Sequence, residues 1–258
     1  MIFFKKFFKF TTAFILFPVV IFFSIYSLDQ HGFFKIEHID IKIKTRASQK
    51  IFIASKKTQL QLKLSSIKGI SLWAAPLSQI SKALSEEKWI EQFQISRAWP
   101  SSIVLEIVPD AIELLVISQQ VSLSVAGGAT EMQPITKSGN VLEKIKSDSA
   151  PNAIITHEAA FIKNQKIREG AIRVISSLPK SGNMSAAQVS EIGYDKKEGY
   201  WIKLLKSETK VNFGEEQFEI KSARVTQVVN YLENRNLKAR VIDANLSKKV
   251  LVRLQQNP

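Results

Sequence analysis

FQISRAWPSSIVLEIV, Phe93–Val108, holds two apolar alternations on either side of a turn. Phe93 and Ile95 alternate before it, and Ile103, Leu105 and Ile107 alternate after it, the period of two that places every second side chain on one face of a strand. Between them Trp99 and Pro100 interrupt the run. Pro100 fits the second position of a type I turn, because its φ is preset and it has no N–H to continue a ladder. Trp99 is expected to cover the end of this hairpin. Arg97, two residues before Trp99, shares its face, where a guanidinium can stack on the indole. On these residues alone the plainest reading is a capped hairpin.

Upstream, IEHIDIKIK (36–44) alternates through Ile39, Ile41 and Ile43 and predicts a strand. TQLQLKLSSIKG (58–69) admits two readings. Leu60, Leu62 and Leu64 alternate as in a strand, whereas Leu60, Leu64 and Ile67 share one helical face. The helix is preferred. Pro76 suits a first helical turn, followed by Leu77, Ile80 and Leu84 on one face. The region therefore reads β, α, α, β, β.

Downstream of Ala111 the text changes to short β-like runs, AIELLVIS, VSLSV, MQPIT, VLEKI and AIIT, separated by Gly, Asn, Ser and Pro. Ile167, Ala171, Val174, Ile175 and Leu178 then form a helical stripe stopped by Pro179. QVSEIGYD, GYWIKLLK and TKVNFG read as an antiparallel meander. A second stripe through Val225, Val228, Val229 and Leu232 precedes two final strands in RNLKARVIDANLSKKVLVRL, joined by a polar LSKK turn.

The first thirty residues bear on compartment. Lys5, Lys6 and Lys9 precede Phe10–Leu28, a charge-free run of 19 residues. At about 1.5 Å per residue such a helix reaches roughly the 30 Å hydrocarbon thickness of a bilayer. Pro18 is tolerable there because lipid gives the backbone no alternative partner. A cleaved leader is the rival reading, and SIYSLDQHGFF has no A-x-A-like site to favour it. A buried core helix is a further alternative. The lysines before the run and Asp29 after it predict a cytoplasmic N-terminus, with the bulk of the chain outside.

Thirty-six basic and 23 acidic side chains give a formal charge of +13. Removing the three lysines of the tail leaves +10 on the exported part. Such charge suits anionic lipid or wall polymer, and with an exported body nucleic acid is not the expected partner. The 45% hydrophobic content is sufficient for a packed core.

The chain has no cysteine, so disulfides, thiolate nucleophiles and cysteine-based metal sites are excluded. His31, His38 and His157 lack the spacing of a helical zinc site, and no metal or cofactor is assigned. A membrane-anchored wall enzyme would need a nucleophile with a base, or paired carboxylates. His157 and Glu158 are the only adjacent acid and base, and neighbours on a strand point to opposite faces. An outer-membrane transport component would need many further barrel strands.

Taken together these residues resemble the FtsQ/DivIB family of bacterial cell-division proteins. Arg97, Trp99, Pro100, Ser102, Ile103, Leu105 and Ile107 match the family's Arg-x-Trp-Pro turn and the strand that closes its POTRA domain. GISLW, SGNVL, VNFG with Arg224 following, and VIDANLSKKVLVRL are similar to later family segments. Pro109 and Ile112 stand where the family usually has an acidic residue and a proline, and Ser138 stands where it has a turn aspartate.

The resemblance implies an α+β protein with a single N-terminal transmembrane helix, a small POTRA domain of order β-α-α-β-β, and a β-rich domain of antiparallel strands with two helices. The corresponding boundaries are 1–9 for the tail, 10–28 for the span, 34–109 for the POTRA domain and 110–258 for the β domain. It implies a non-enzymatic scaffold in the inner membrane at the division septum, whose terminal strand binds the FtsB/DivIC and FtsL pair, with an FtsW/FtsI-type synthase complex as a further partner. A cell-wall enzyme or another envelope POTRA component is the alternative. Carried over to this chain, the binding segment is Leu246, Lys248, Val250, Leu251, Val252, Arg253 and Leu254. Val250, Val252 and Leu254 would share one face, with Leu251 and Arg253 on the other.

Overall fold

A computed structural model describes residues 2–44, 49–117, 131–246 and 249–255, with side chains from Leu16 onward. The chain divides into two compact units, one of residues 1–45 with 54–109 and the other of 46–53 with 110–258.

The first unit begins with α1 (Ile2–Gln30), which contains Pro18. Its described side chains from Leu16 to Leu28 are apolar apart from Ser24 and Ser27, and they are exposed. Among the described residues no helix is long and apolar enough to cross a membrane. The expected span over 10–28 thus rests on the sequence.

After α1 come β1 (His38–Ile43), α2 (Lys50–Lys63), a single 3-10 turn at Ser65–Ile67, α3 (Leu77–Ser85), β2 (Ile90–Ala98) and β3 (Ser102–Pro109). They form a three-stranded sheet in the order β1-β3-β2, with β3 parallel to β1 and antiparallel to β2. The central strand buries Ile103, Leu105 and Ile107. Leu60, Leu64 and Ile67 are buried while Leu62 is 70% exposed, which decides between the two readings of that segment: it is a helix. α2 starts at Lys50, so the stretch KIFIASKK belongs to it.

The second unit is a nine-stranded sheet in the order β12-β11-β10-β9-β8-β7-β4-β5-β6. Its elements are β4 (Ile112–Ile117), β5 (Glu131–Thr136), β6 (Ile145–Lys146), β7 (Ile154–Thr156), α4 (Ala160–Lys163), α5 (Gln165–Ser177), β8 (Val189–Asp195), β9 (Gly199–Leu204), β10 (Lys210–Gly214), α6 (Phe218–Asn234), β11 (Ala239–Asp243) and β12 (Leu251–Leu254). The VSLSV run lies outside the described residues. VLEKI supplies only an isolated bridge at Val141 and the two-residue β6.

The expectation of an antiparallel domain needs correction. β8, β9 and β10 form the expected meander, but β4/β7, β7/β8 and β10/β11 pair in parallel. Helices α4 and α5 carry the chain from β7 to β8, and α6 carries it from β10 to β11. A strand reached by such a crossover runs in the same direction as the one it left.

The buried stripe of α5, Ala171, Val174 and Ile175, and that of α6, Val225, Val229 and Leu232, share a core with Ile192, Ile202, Val211 and Phe213 of the sheet. Asn164 caps α5 by accepting from the Ile167 N–H (3.3 Å). Arg168 ties the start of the helix to its surroundings. Its Nε donates to the Gly139 carbonyl (2.7 Å), and Nη1 donates to the carbonyls of Phe161 (3.0 Å) and Ile162 (3.1 Å). At the turn that has Ser138 in place of an aspartate, the buried Asp110 supplies the carboxylate, accepting from the Ser138 N–H (3.2 Å).

Gly170 lets α5 approach β9. A Cβ there would overlap the Tyr200 hydroxyl and ring. The Tyr200 hydroxyl donates to the Ile167 carbonyl (3.0 Å), and burial first, then neighbouring Tyr194, pushes its pKa up to about 12. Gly170→Ala is expected to lower stability by about 1–3 kcal/mol through overpacking, measured by urea denaturation. Because the folded pKa of Tyr200 exceeds its ordinary value near 10, its contribution is complete below about pH 10 and is lost as pH rises through 12. Tyr200→Phe should cost about 1 kcal/mol at pH 7 and flatten that alkaline loss, as read by unfolding midpoints from pH 8 to 12.

Candidate partner-binding edge

β12 stands at one end of the strand order of the large sheet and, among the described residues, pairs only with β11. Just past β11 the chain is anchored twice. The Ala244 N–H donates to the Asn212 carbonyl (2.9 Å), extending the ladder of β10, and the Asn245 N–H donates to Asp243 Oδ1 (2.9 Å). Beyond β12 the Gln255 N–H donates to the Lys238 carbonyl (2.8 Å). Ile242 pairs with Val252 and Asp243 with Leu251, in antiparallel register. Among the described residues the far side of β12 carries no strand, so its outward N–H and C=O groups are open to another chain.

The side chains divide by parity. Val250 and Val252 pack against the core, while Leu251 and Arg253 are exposed. Leu254 is half-exposed and, with Val252, Val228, Tyr231 and Leu237, lines a shallow apolar groove between β12 and α6. Tyr231 is 57% exposed beneath Arg235, whose guanidinium lies 5.5 Å from the ring centroid. Leu246 is exposed in the turn, and Lys248 lies outside the described residues. Exposed Lys238, Arg240, Lys249 and Arg253 make this end of the sheet cationic.

The opposite edge is formed by β6, only two residues long, beside the Lys144–Glu131 ion pair (3.1 Å). A strand that short offers little backbone to a partner. The groove beside α6 and the exposed Tyr231 and Leu237 were not foreseen from the sequence, because their neighbours on β12 are more than a dozen residues away along the chain.

Arg97, Trp99 and Pro100 lie in the other unit. The expected stacking of Arg97 on Trp99 is replaced by a hydrogen bond from Arg97 Nε to the Leu72 carbonyl (2.8 Å). Trp99 instead packs on Trp73, with centroids 4.3 Å apart, and on Phe34 at 5.8 Å. The Trp99–Pro100 peptide is cis, which the type I reading of the turn did not include. Among the described residues no three His, Asp or Glu side chains converge as a metal site would require.

Residues 125–245 match the family model for the C-terminal domain of the cell division protein FtsQ/DivIB. Over that span the chain carries the C-terminal domain of the FtsQ/DivIB family. The matched span begins before β5 and ends just after β11, so β12 lies beyond it. No curated protein matches the chain. The match points to a role in cell division, alongside other division proteins.

Replacing Arg97 with Met keeps much of the aliphatic stem and removes the donor to Leu72. The expected outcome is a loss of about 1–2 kcal/mol in unfolding free energy, measured by thermal or denaturant melting.

Proposed function

We propose that the chain is a non-enzymatic, membrane-anchored scaffold of the bacterial divisome that binds an extended segment of a partner along β12. The observation that carries the reading is the open edge of β12, flanked by the exposed apolar side chains Leu251, Leu254, Tyr231 and Leu237. In β-augmentation the backbone supplies the bonds and side chains on alternate positions select the sequence. Leu251 and Arg253 would meet one face of the added strand, and Val252 and Leu254 the other. The proposed binding segment also includes Leu246 and Lys248.

The partner is the FtsB/DivIC and FtsL pair, with an FtsW/FtsI-type synthase complex beyond it. The cationic end of the sheet suits a segment carrying acidic residues. The reading assigns 34–109 as a POTRA domain, 110–258 as the FtsQ-type β domain, and 10–28 as a single span. The lysine-rich tail then lies in the cytoplasm, and the bulk of the chain lies outside the inner membrane at the septum. A helix that exposes Leu16, Phe17, Ile21, Phe22 and Phe23 is stable where lipid surrounds it, which supports the span.

Val252→Pro removes one N–H from β12 and disturbs its pairing with Ile242. Both this variant and deletion of residues 249–258 are expected to abolish co-purification with FtsB/DivIC–FtsL, while circular dichroism of the rest stays native. Undiminished capture by both variants would refute the edge-strand reading. A fluorescent fusion of the full chain is expected at mid-cell before constriction.

A further inference from the structure

We propose that an aromatic platform at the base of the first unit, Phe33, Trp73 and Trp99, rests in the headgroup layer of the bilayer around the point where α1 emerges. The proposal rests on the anchoring reading of α1 given above.

The platform is tied to the end of that helix by hydrogen bonds. The Phe33 N–H donates to the Leu28 carbonyl (3.0 Å), which sets Phe33 directly against the last helical turn. Ser71 Oγ donates to Asp29 Oδ1 (2.7 Å), and Lys35 and Ser71 form a β-bridge. The Leu72 N–H donates to the Phe34 carbonyl (2.7 Å), and the Leu72 carbonyl receives Arg97 Nε. Three segments distant in sequence are thereby brought together under one helix end.

Their aromatic rings form a continuous group. Phe34 lies at the centre, 5.1 Å from Phe33, 6.0 Å from Trp73 and 5.8 Å from Trp99. Phe34 is buried, whereas Phe33, Trp73 and Trp99 are 53%, 55% and 52% exposed. Three large half-exposed aromatics side by side form a patch that a soluble surface rarely leaves uncovered.

Several observations favour a bilayer surface over a protein as the cover. The Phe33–Leu28 hydrogen bond sets the patch at the end of α1, where the exposed Tyr26 and Leu28 are side chains that lipid would surround. A partner protein would have to share that seam with acyl chains. Indole is suited to the headgroup level, with an apolar body and one N–H for a polar neighbour. Exposed Lys35 and Lys68, which flank the platform in sequence, complement anionic headgroups. Docking of this kind would hold the unit against the membrane rather than leave it to pivot on the helix end.

The test uses the full chain reconstituted in phosphatidylethanolamine–phosphatidylglycerol vesicles that carry spin-labelled lipids, with the label either near the headgroup or deep in the acyl chain. Tryptophan emission is expected to be quenched by the shallow label, and Trp73→Ser with Trp99→Ser should remove most of that quenching. A second variant avoids disturbing the Trp pair. Because the chain has no cysteine, Phe33→Cys gives a single attachment point for an environment-sensitive dye. Its emission should be blue-shifted and quenched by the shallow label, while a dye on Gln92→Cys, about 20 Å along β2 from the turn, should report water.

If the chain floats with the vesicles and the two dyes behave alike, the docking is overturned and the anchor stands. If the chain does not float with vesicles, the anchor and the docking both fail. If the Phe33→Cys dye is shielded in detergent only as protein concentration rises, a second copy covers the platform, and the docking is again overturned.

Discussion

A helix that crosses a sheet forces the strands at its two ends to run parallel, and this constraint organises the large unit. α6 returns the chain from the end of β10 to the start of β11, so β11 lies parallel to β10 with Lys210 opposite Val241. One side of β11 is then occupied. The short turn after Asp243 has one place left to put β12, on the outer side of β11 and antiparallel to it. An open edge at the C-terminal end follows from the crossover rather than from anything particular to the residues of β12.

The crossover is held by polar contacts inside the core. Lys221, near the start of α6, is buried, and its Nζ donates to the Phe213 carbonyl (2.7 Å) at the end of β10. Burial lowers its pKa, with Glu216 and Asp243 opposing that shift. The next strand is joined by Thr209, whose hydroxyl donates to the Ala239 carbonyl (2.7 Å) at the start of β11. These bonds fix α6, β10 and β11 as one body, and β12 inherits its position from them. A partner strand added there would extend a rigid sheet, which limits the ordering cost to the incoming segment.

Local periodicity was legible wherever one face is buried. Ala171, Val174 and Ile175 are buried as their spacing predicts, and so is Ile41 of the alternating first strand. The ambiguous Leu60–Leu62–Leu64 run shows where such reading stops, because both periods fit and only the exposure of Leu62 separates them. Parallel pairing of β4, β7 and β8 was not legible, since period two is the same in either direction. The partner of Trp99 was hidden for a similar reason: Trp73 is distant in sequence and only the folded unit brings the rings together. At the candidate site, the face assignments of Val252 and Arg253 follow from alternation, whereas the groove with Tyr231 and Leu237 does not.

The sequence by itself determined the helical stripes of α3, α5 and α6, the alternating strands β1, β2 and β3, the absence of thiol chemistry, the apolar character of 10–28 and the FtsQ/DivIB resemblance, because each of these depends on residues close along the chain or on an ordered series of motifs. The tertiary structure alone decided the strand order, the mixed pairing, the Arg97 bond to Leu72, the aromatic platform and the open side of β12. Those depend on which distant segments lie side by side, and hydrogen-bond direction and ring packing are set only once they do.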